Sequence, residues 1–266
     1  MPHPFDPGYA NPSFRDLVAA YPGPDVYPQA DFRTEWGPIF HRGRLDGTAR
    51  VLVIGQDPGQ HESFARRILV GEAGQRIQGF LAKLGIDRGY AMINTFLYSV
   101  YGQSGGERHK KDAAITAYRN RWLDAIFAAR VPDAVIALGS LADAAWAAWN
   151  PPAHVAYAHI THPTQPESSS KGDPTLYAAA MQAMLANWNV ALNMLHPHVH
   201  PDTARPLVLY GTQLTAADDA EIPEEDLPAG TPAWMRGLKA WAARSGGTAA
   251  EKRATLTVTV PKDALP

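Results

Sequence analysis

Polar side chains that can move protons or stabilise charge directly follow four short apolar runs of this sequence. The residues at these positions are Gln56, Asp57, Asn94, Ser140, Thr161 and His162. A carboxylate, a carboxamide and an imidazole that converge on one crevice can perform acid–base or electrostatic chemistry. Each alone is more often structural, as a turn residue, a loop-capping amide or a hydrogen-bonded histidine. Their occurrence after successive runs favours a functional site.

The runs themselves predict the elements that position these side chains. Residues 51–54, 90–93, 134–138 and 155–160 have the apolar pattern of buried strands, and segments with helical spacing lie between them. This alternation predicts an α/β fold with three α/β/α layers and a central, mainly parallel four-stranded sheet. Ligands bind such sheets beyond the carboxyl ends of the strands, which is where the polar residues occur.

Typical capping residues mark the ends of the predicted helices. Asp112 and Asp173 are favoured N-cap types, and Pro174 follows the second of them in its favoured position. Ser140 is predicted to cap the helix after the third strand. Gly85 is typical of the position that follows a helix C-terminus.

The pattern divides the chain into a core with two extensions. Residues 1–48 are assigned to an N-terminal extension, 49–190 to the α/β core and 191–266 to a C-terminal extension. Strands are predicted in the last segment at 206–210 and 255–260. This segment holds too few apolar residues for its own core, so we expect both extensions to pack on the core within a single domain.

Composition excludes several classes of protein and site. The 24 Lys and Arg residues nearly balance the 26 Asp and Glu residues, so any nucleic-acid site must be a local basic patch. The absence of cysteine excludes disulfides, a thiol nucleophile and a Cys-ligated iron–sulfur cluster. Neither a signal-peptide pattern nor an apolar run of about 20 residues is present, so we expect a soluble, cytoplasmic monomer without a membrane partner.

Other common templates do not fit. The sequence has no GxxxxGK[ST] loop, no GxGxxG after the first strand and no GxSxG elbow. His196, His198 and His200 alternate as zinc ligands can, but the prolines between them favour a surface loop, so no metal site is expected.

Several short segments, taken together, resemble the motifs of the uracil-DNA glycosylase superfamily. Gly-Gln-Asp-Pro at 55–58 is similar to its first loop, Met-Ile-Asn-Thr at 92–95 to its base-reading strand end, and Thr-His-Pro-Thr at 161–164 to its His-Pro-Ser loop. Residues 67–75 resemble the Arg-Pro-Phe-Val-Gly segment of the family-4 branch, and 137–139 resemble a further strand end. The motifs follow the family's order across the predicted core.

The resemblance implies a monofunctional glycosylase that flips deoxyuridine out of DNA and hydrolyses its N-glycosidic bond. It implies that Asp57 orients the attacking water and stabilises the sugar cation, and that His162 donates a hydrogen bond to uracil O2. Asn94 would read uracil N3–H and O4. The further base-binding positions are Gly55, Gln56 and Leu69. The implied partners are uracil-containing DNA, single- or double-stranded, and its abasic-site product.

The chain departs from the superfamily pattern at several positions. The family-4 branch carries a four-Cys iron–sulfur cluster, so this chain resembles a cluster-free relative and no cofactor is expected. Leu69 stands where an aromatic residue stacks on uracil, with Phe64 and Phe96 as alternatives. Gly59 stands where the most selective branch has a Tyr that excludes the thymine methyl. The loop at 163–168 lacks the Leu that wedges into the duplex.

Two polar segments are predicted to contact DNA phosphates. The residues of these segments are Arg108, His109, Lys110 and Lys111 in one, and Ser168, Ser169 and Lys171 in the other. In one branch of the superfamily a His at a similar place becomes covalently attached to the abasic sugar, and His109 is the residue here that resembles it.

Two other functions stay open on the sequence alone. A module that binds uracil or abasic sites with little turnover, or that traps the abasic sugar covalently, could carry the same motifs. A nucleotide-binding α/β enzyme unrelated to DNA is the other alternative, which the missing phosphate motifs disfavour.

Overall fold

A computed structural model describes residues 11–264 of the protein, apart from the side chains of residues 103 and 104. The strands are β1 (His41–Gly43), β2 (Val51–Gly55), β3 (Tyr90–Asn94), β4 (Ala134–Leu138), β5 (Ala156–Ile160), β6 (Ala242–Arg244) and β7 (Leu256–Val258). The helices are α1 (Pro12–Ala19), α2 (Gln60–Ala65), α3 (Glu72–Lys83), α4 (Gln103–His109), α5 (Ala113–Ala129), α6 (Gly139–Ala148), α7 (Gln165–Ser170), α8 (Pro174–Leu195), α9 (Ala233–Gly237) and α10 (Ala249–Ala254).

Five strands form the central sheet in the order β1-β3-β2-β4-β5. β2 pairs in parallel with both β3 and β4, and β5 pairs in parallel with β4. β1 pairs antiparallel with β3, with His41 opposite Ile93. The mainly parallel sheet is therefore confirmed, but it has five strands rather than four. The added edge strand is three residues long and carries polar side chains, so it lacks the apolar pattern by which strands are recognised.

The sheet lies between two layers of helices, as the α/β/α prediction states. Successive side chains of β2 alternate between the two faces. Val51 and Val53 pack in the cluster that contains the apolar faces of α3 and α8, whereas Leu52 and Ile54 pack in the cluster that contains those of α1, α5 and α6. The parallel strands are thus covered on both faces, as such sheets require.

Two of the three predicted N-caps are confirmed. Asp112 and Asp173 each accept hydrogen bonds from the first backbone N–H groups of α5 and α8. The prediction for Ser140 is wrong, because α6 already begins at Gly139. The positive φ of Gly139, 79°, turns the chain there, so Ser140 lies within the first helical turn. Gly85, with φ of 75°, follows α3 as predicted.

A buried carboxylate joins the C-terminal segment to the sheet. Asp226 Oδ2 accepts from Arg42 Nη1 at 3.0 Å and from the Tyr90 hydroxyl at 2.5 Å, and its Oδ1 forms an ion pair with Arg44 at 3.0 Å. Nearby, Ile222 and Leu227 pack against α2 and the segment that follows it. The segment after α8 therefore packs on the core over part of its length.

One of the two predicted C-terminal strands is absent. Residues 206–210 form no strand, because the Asn189 side chain binds both the N–H and the C=O of Tyr210, at 2.8 and 3.0 Å. This contact holds the segment along α8, away from any strand edge. The prediction at 255–260 is confirmed in β7, which pairs with β6 in a separate two-stranded sheet. Within residues 11–264, no helix is long and apolar enough to cross a bilayer.

Candidate active site

Two adjoining cavities open at the carboxyl ends of the parallel strands. We call the one of about 440 Å³ the outer cavity and the one of about 400 Å³ the inner cavity. Both are lined by Gln56, Asp57, Gly59, Gln60, His162 and Thr164. Asn94 and Leu69 line the inner cavity, whereas Ser140 and Thr161 line the outer one. The polar residues that follow the four predicted strands are therefore brought together.

The carboxylate of Asp57 is held at the junction of the two cavities. Its Oδ2 accepts from the Val100 N–H at 2.8 Å, and its Oδ1 accepts from Gln56 Nε2 at 3.1 Å. Burial raises the pKa of Asp57 to about 6, although both hydrogen bonds act in the opposite direction. The carboxylate is thus mainly ionised at neutral pH and basic enough to accept a proton from water.

Glu62 fixes the two loops that flank Asp57. One oxygen of its buried carboxylate accepts from the Gly59 N–H at 3.0 Å, and the other accepts from the Val70 N–H at 3.2 Å. Burial raises the pKa of Glu62, which backbone hydrogen bonds oppose. A Cβ at Gly59 would lie 2.9 Å from Glu62 Oε2, so the glycine leaves room for this contact. Glu62 could not be recognised from the sequence as a site residue, because a glutamate in the first turn of a helix is common.

Asn94 presents a hydrogen-bond donor to the inner cavity. Its side chain is 2% exposed, and its Nδ2 has no hydrogen-bond partner among the residues described. Such buried donors are costly unless a ligand satisfies them. Gly55 makes this position possible, because a Cβ there would lie 2.5 Å from Asn94 Oδ1. Gly55 therefore supports the amide from the neighbouring strand.

His162 is held as a neutral imidazole, and no hydrogen bond within residues 11–264 occupies its Nε2. The backbone N–H of Thr164 lies 3.3 Å from His162 Nδ1, and a backbone N–H can only donate. The ring proton therefore belongs on Nε2. Desolvation by the surrounding protein lowers the pKa of His162 to about 4, so the ring stays neutral at neutral pH.

Arg76 anchors the loop that carries His162. Its Nη1 donates to the Pro163 carbonyl oxygen at 2.5 Å, and its Nη2 lies 2.7 Å from Glu167 Oε1 and 2.7 Å from Glu72 Oε1. The guanidinium is buried, so it is neutralised by carboxylates rather than by solvent. Glu167 is therefore occupied as a structural partner of Arg76.

Leu69 occupies the wall of the inner cavity in a left-handed conformation. Its φ is 54°, which is unusual for a non-glycine residue, and a Cβ at Gly74 would overlap the Leu69 carbonyl group. Neither alternative aromatic lines the cavities: Phe96 is buried in the core beside Phe32, and Phe64 packs against Trp241. Leu69 is thus the apolar side chain of the predicted set that faces the inner cavity.

The C-terminal segment contributes residues that the sequence analysis missed. The inner cavity is also lined by Lys239, Ala240, Ala242 and Ala243, and the outer cavity by Arg244. His61 fixes this segment. Its Nε2 accepts from the Trp241 backbone N–H at 3.3 Å, and the centroids of the imidazole and indole rings lie 4.9 Å apart. Trp234 and Trp241 are large apolar residues in a largely polar tail, and they were the available signal that this part of the tail is buried beside the site.

The residues predicted to contact DNA differ in their exposure and in the groups that they bind. Arg108 and His109 both bind the carboxylate of Asp31, Lys110 binds Glu107 at 2.5 Å, and Lys111 is exposed. On the other segment, Ser168 lines the outer cavity, and Ser169 and Lys171 are exposed beside it. His109 is not among the residues that line either cavity.

The alternating histidines lie away from the cavities. His196 follows α8 directly, and His200 Nδ1 lies 3.0 Å from Asp133 Oδ2 at the amino end of β4. Within residues 11–264, no group of three or more potential His, Cys, Asp or Glu ligands is placed to hold a metal ion.

Comparison with protein families identifies the family of this chain. A family model described as the uracil DNA glycosylase superfamily matches residues 42–199, which is more than half of the chain and contains all four parallel strands and the loops that follow them. A search of curated proteins finds no match to this chain.

Replacing Asp57 by Asn should stabilise the fold. Because the pKa of Asp57 is raised to about 6 in the folded protein, its ionisation opposes folding at neutral pH, and this cost disappears as the pH falls below about 4. We expect Asp57→Asn to raise the free energy of unfolding by about 1–3 kcal/mol at pH 7 and by little at pH 4. Urea denaturation at both pH values measures this.

The exposed residue Asp263 supplies the control for that change of charge. Asp263→Asn should leave the free energy of unfolding within about 0.5 kcal/mol of the parent protein. A loss of stability at pH 7 in Asp57→Asn would contradict the assignment of a destabilising buried carboxylate.

Proposed function

Because the chain belongs to the uracil DNA glycosylase superfamily, we propose that it is a monofunctional uracil-DNA glycosylase. Membership assigns DNA glycosylase-type chemistry on DNA, and the proposal adds the base and the products. The substrate is deoxyuridine in single- or double-stranded DNA, and the products are free uracil and an abasic site. The observation that carries the proposal is the unpartnered donor of Asn94 in a cavity that also holds Asp57 and neutral His162.

The inner cavity suits uracil through the pairing pattern of Asn94. The amide nitrogen can donate to uracil O4 and the amide oxygen can accept from N3–H. Cytosine carries a donor at C4 and an acceptor at N3, so the same amide opposes it in both positions. Leu69 offers an apolar surface to the ring plane, and the tail residues Ala242 and Ala243 close another side.

Bond cleavage places positive charge on the sugar and negative charge on the departing base. Water forms a bond to C1′ as the C1′–N1 bond breaks, and the electron pair of that bond leaves with uracil. Asp57 stabilises the cationic sugar, orients the water and accepts one of its protons. His162 donates from Nε2–H to uracil O2 while staying neutral, so it stabilises the anion through a hydrogen bond already in place.

Opposite effects of desolvation suit the two residues to these roles. The pKa of Asp57 is raised to about 6 and that of His162 is lowered to about 4. At neutral pH one is therefore a carboxylate able to take a proton, and the other is an uncharged donor. Pairs of groups with such divergent environments are typical of acid–base sites.

Base release from DNA with a single uracil tests the proposal. We expect release by the parent protein, and a decrease of about 10²–10⁴-fold in Asp57→Asn and in His162→Ala, because each loses stabilisation of one charge. The control His200→Ala removes an exposed imidazole beside Asp133, at the amino ends of the strands, and should retain full activity. DNA binding without release from any uracil context would instead favour the uracil-binding module.

The proposed hydrogen bonds between Asn94 and the base lead to a separate prediction. Asn94→Asp replaces the donor with an acceptor, so we expect release of cytosine from a C-containing oligonucleotide and a loss of preference for uracil. Asn193→Asp, on the exposed face of α8, is the matched control and should release uracil alone. Unchanged strict preference for uracil in Asn94→Asp would overturn this role.

The support that Gly55 gives to Asn94 can be tested with one methyl group. Gly55→Ala places a Cβ against Asn94 Oδ1, so the amide must move and kcat/KM for uracil release should fall about 100-fold. Gly211→Ala is the control, because a Cβ there meets no atom within 4 Å. Equal activities of the two variants, with similar melting temperatures, would contradict the requirement for glycine at position 55.

A further inference from the structure

A groove lined by cations opens beside the outer cavity. It has a volume of about 610 Å³ and contains the side chains of Arg33, Arg244, Lys252 and Arg253. Gln60 and Arg244 line both this groove and the outer cavity, so the two spaces adjoin. Three of the four cations come from the C-terminal segment, beyond the part of the chain that the family model matches. We call this space the tail groove.

Within residues 11–264, the carboxylates near the tail groove bind groups other than its cations, and that of Glu35 accepts from the Tyr101 hydroxyl at 2.8 Å. Among residues 11–264, none of the four forms an ion pair with Asp or Glu. The nearby carboxylate of Glu251 instead accepts from the N–H groups of Gly247 and Thr248, at 2.7 and 2.9 Å, at the start of α10. Burial and the neighbouring Arg244 and Arg253 lower the pKa of Arg33, although Tyr101 and Glu35 act in the opposite direction. The four cations outnumber the nearby carboxylates of Glu35 and Glu251, so the groove is suited to an anion.

Aromatic contacts hold two guanidinium groups in place. The central carbons of the Arg33 and Arg253 guanidinium groups each lie 4.2 Å from the centroid of the Tyr101 ring. Arg33 also lies 4.9 Å from the Trp36 ring and donates to the Arg253 carbonyl oxygen at 3.0 Å. Arginine planes fixed in this way match the geometry of phosphate oxygens and lose little entropy on binding.

From this arrangement we infer that the tail groove binds the phosphodiester backbone of the DNA strand whose nucleotide enters the cavities. The inference rests on the proposed function, because that function places a DNA strand at the outer cavity. Because Arg244 lines both spaces, a strand that enters the outer cavity also lies beside the groove. A local patch of this kind also supplies DNA affinity to a protein whose formal net charge is −2.

The salt dependence of DNA binding tests the inference. Lys252→Gln with Arg253→Gln removes two cations that line the groove but neither cavity. We expect weaker binding of a single-stranded oligonucleotide without uracil, and a slope of log affinity against log salt that is smaller by about 1.4, as for two lost phosphate contacts. Fluorescence anisotropy between about 50 and 200 mM salt measures both quantities.

The matched control removes two cations elsewhere. Arg88→Gln with Lys262→Gln has the same change of charge, and neither residue lines the groove or the cavities. Its salt slope should equal that of the parent protein. Equal slopes in both double variants, with melting temperatures unchanged, would overturn the inference.

Separate readouts distinguish this inference from the proposed function. Uracil release by the parent protein, with an unchanged slope in the groove variant, would overturn the groove and leave the function standing. A reduced slope without uracil release from any context would support the groove and overturn the function. Calorimetric binding of inorganic phosphate that the groove variant loses, with an unchanged oligonucleotide slope, would assign the groove to free phosphate and overturn the inference.

Discussion

The enclosure of the site depends on one buried ionic cluster, in which Asp226 contacts Arg42, Arg44 and Tyr90. Removing one partner from such a cluster leaves an uncompensated charge and costs about 3–5 kcal/mol, so the tail is held firmly against the sheet. Farther along the chain, the contact between His61 and Trp241 places residues 239–244 over the cavities. The strand ends supply Asp57, Asn94 and His162, and the tail supplies part of the wall of the cavities that these residues line.

Enclosure determines the chemistry of the two central residues as well as their position. Asp57 has a raised pKa and His162 a lowered one because each is removed from water, and neither shift requires a strong charge nearby. Contacts made by neighbouring buried side chains hold both groups in place. Glu62 joins the loops beside Asp57, and Arg76 anchors the loop of His162. Burial and anchoring together produce a proton acceptor and a neutral donor that face the same space.

The sequence predicted best the features that depend on local patterns. The parallel strands and the side chains after them were predictable because a buried strand needs a continuous apolar run and ligands bind beyond its carboxyl end. Features that depend on distant partners were not. β1 is too short to show a pattern. Residues 206–210 bind the Asn189 side chain and do not pair with a strand. Ser140 does not cap α6, because the turn at Gly139 starts the helix one residue earlier. Arg244 reaches the outer cavity through tertiary packing alone.

The segment that closes the cavities lies outside the part of the chain that carries the family's motifs. The family match ends at residue 199, whereas the wall of the inner cavity is completed by residues 239–243. Reactive groups and enclosure are therefore encoded by separate stretches of the gene. A change in the second stretch can therefore alter the shape and the wall of the inner cavity while the side chains that follow the strands stay in place.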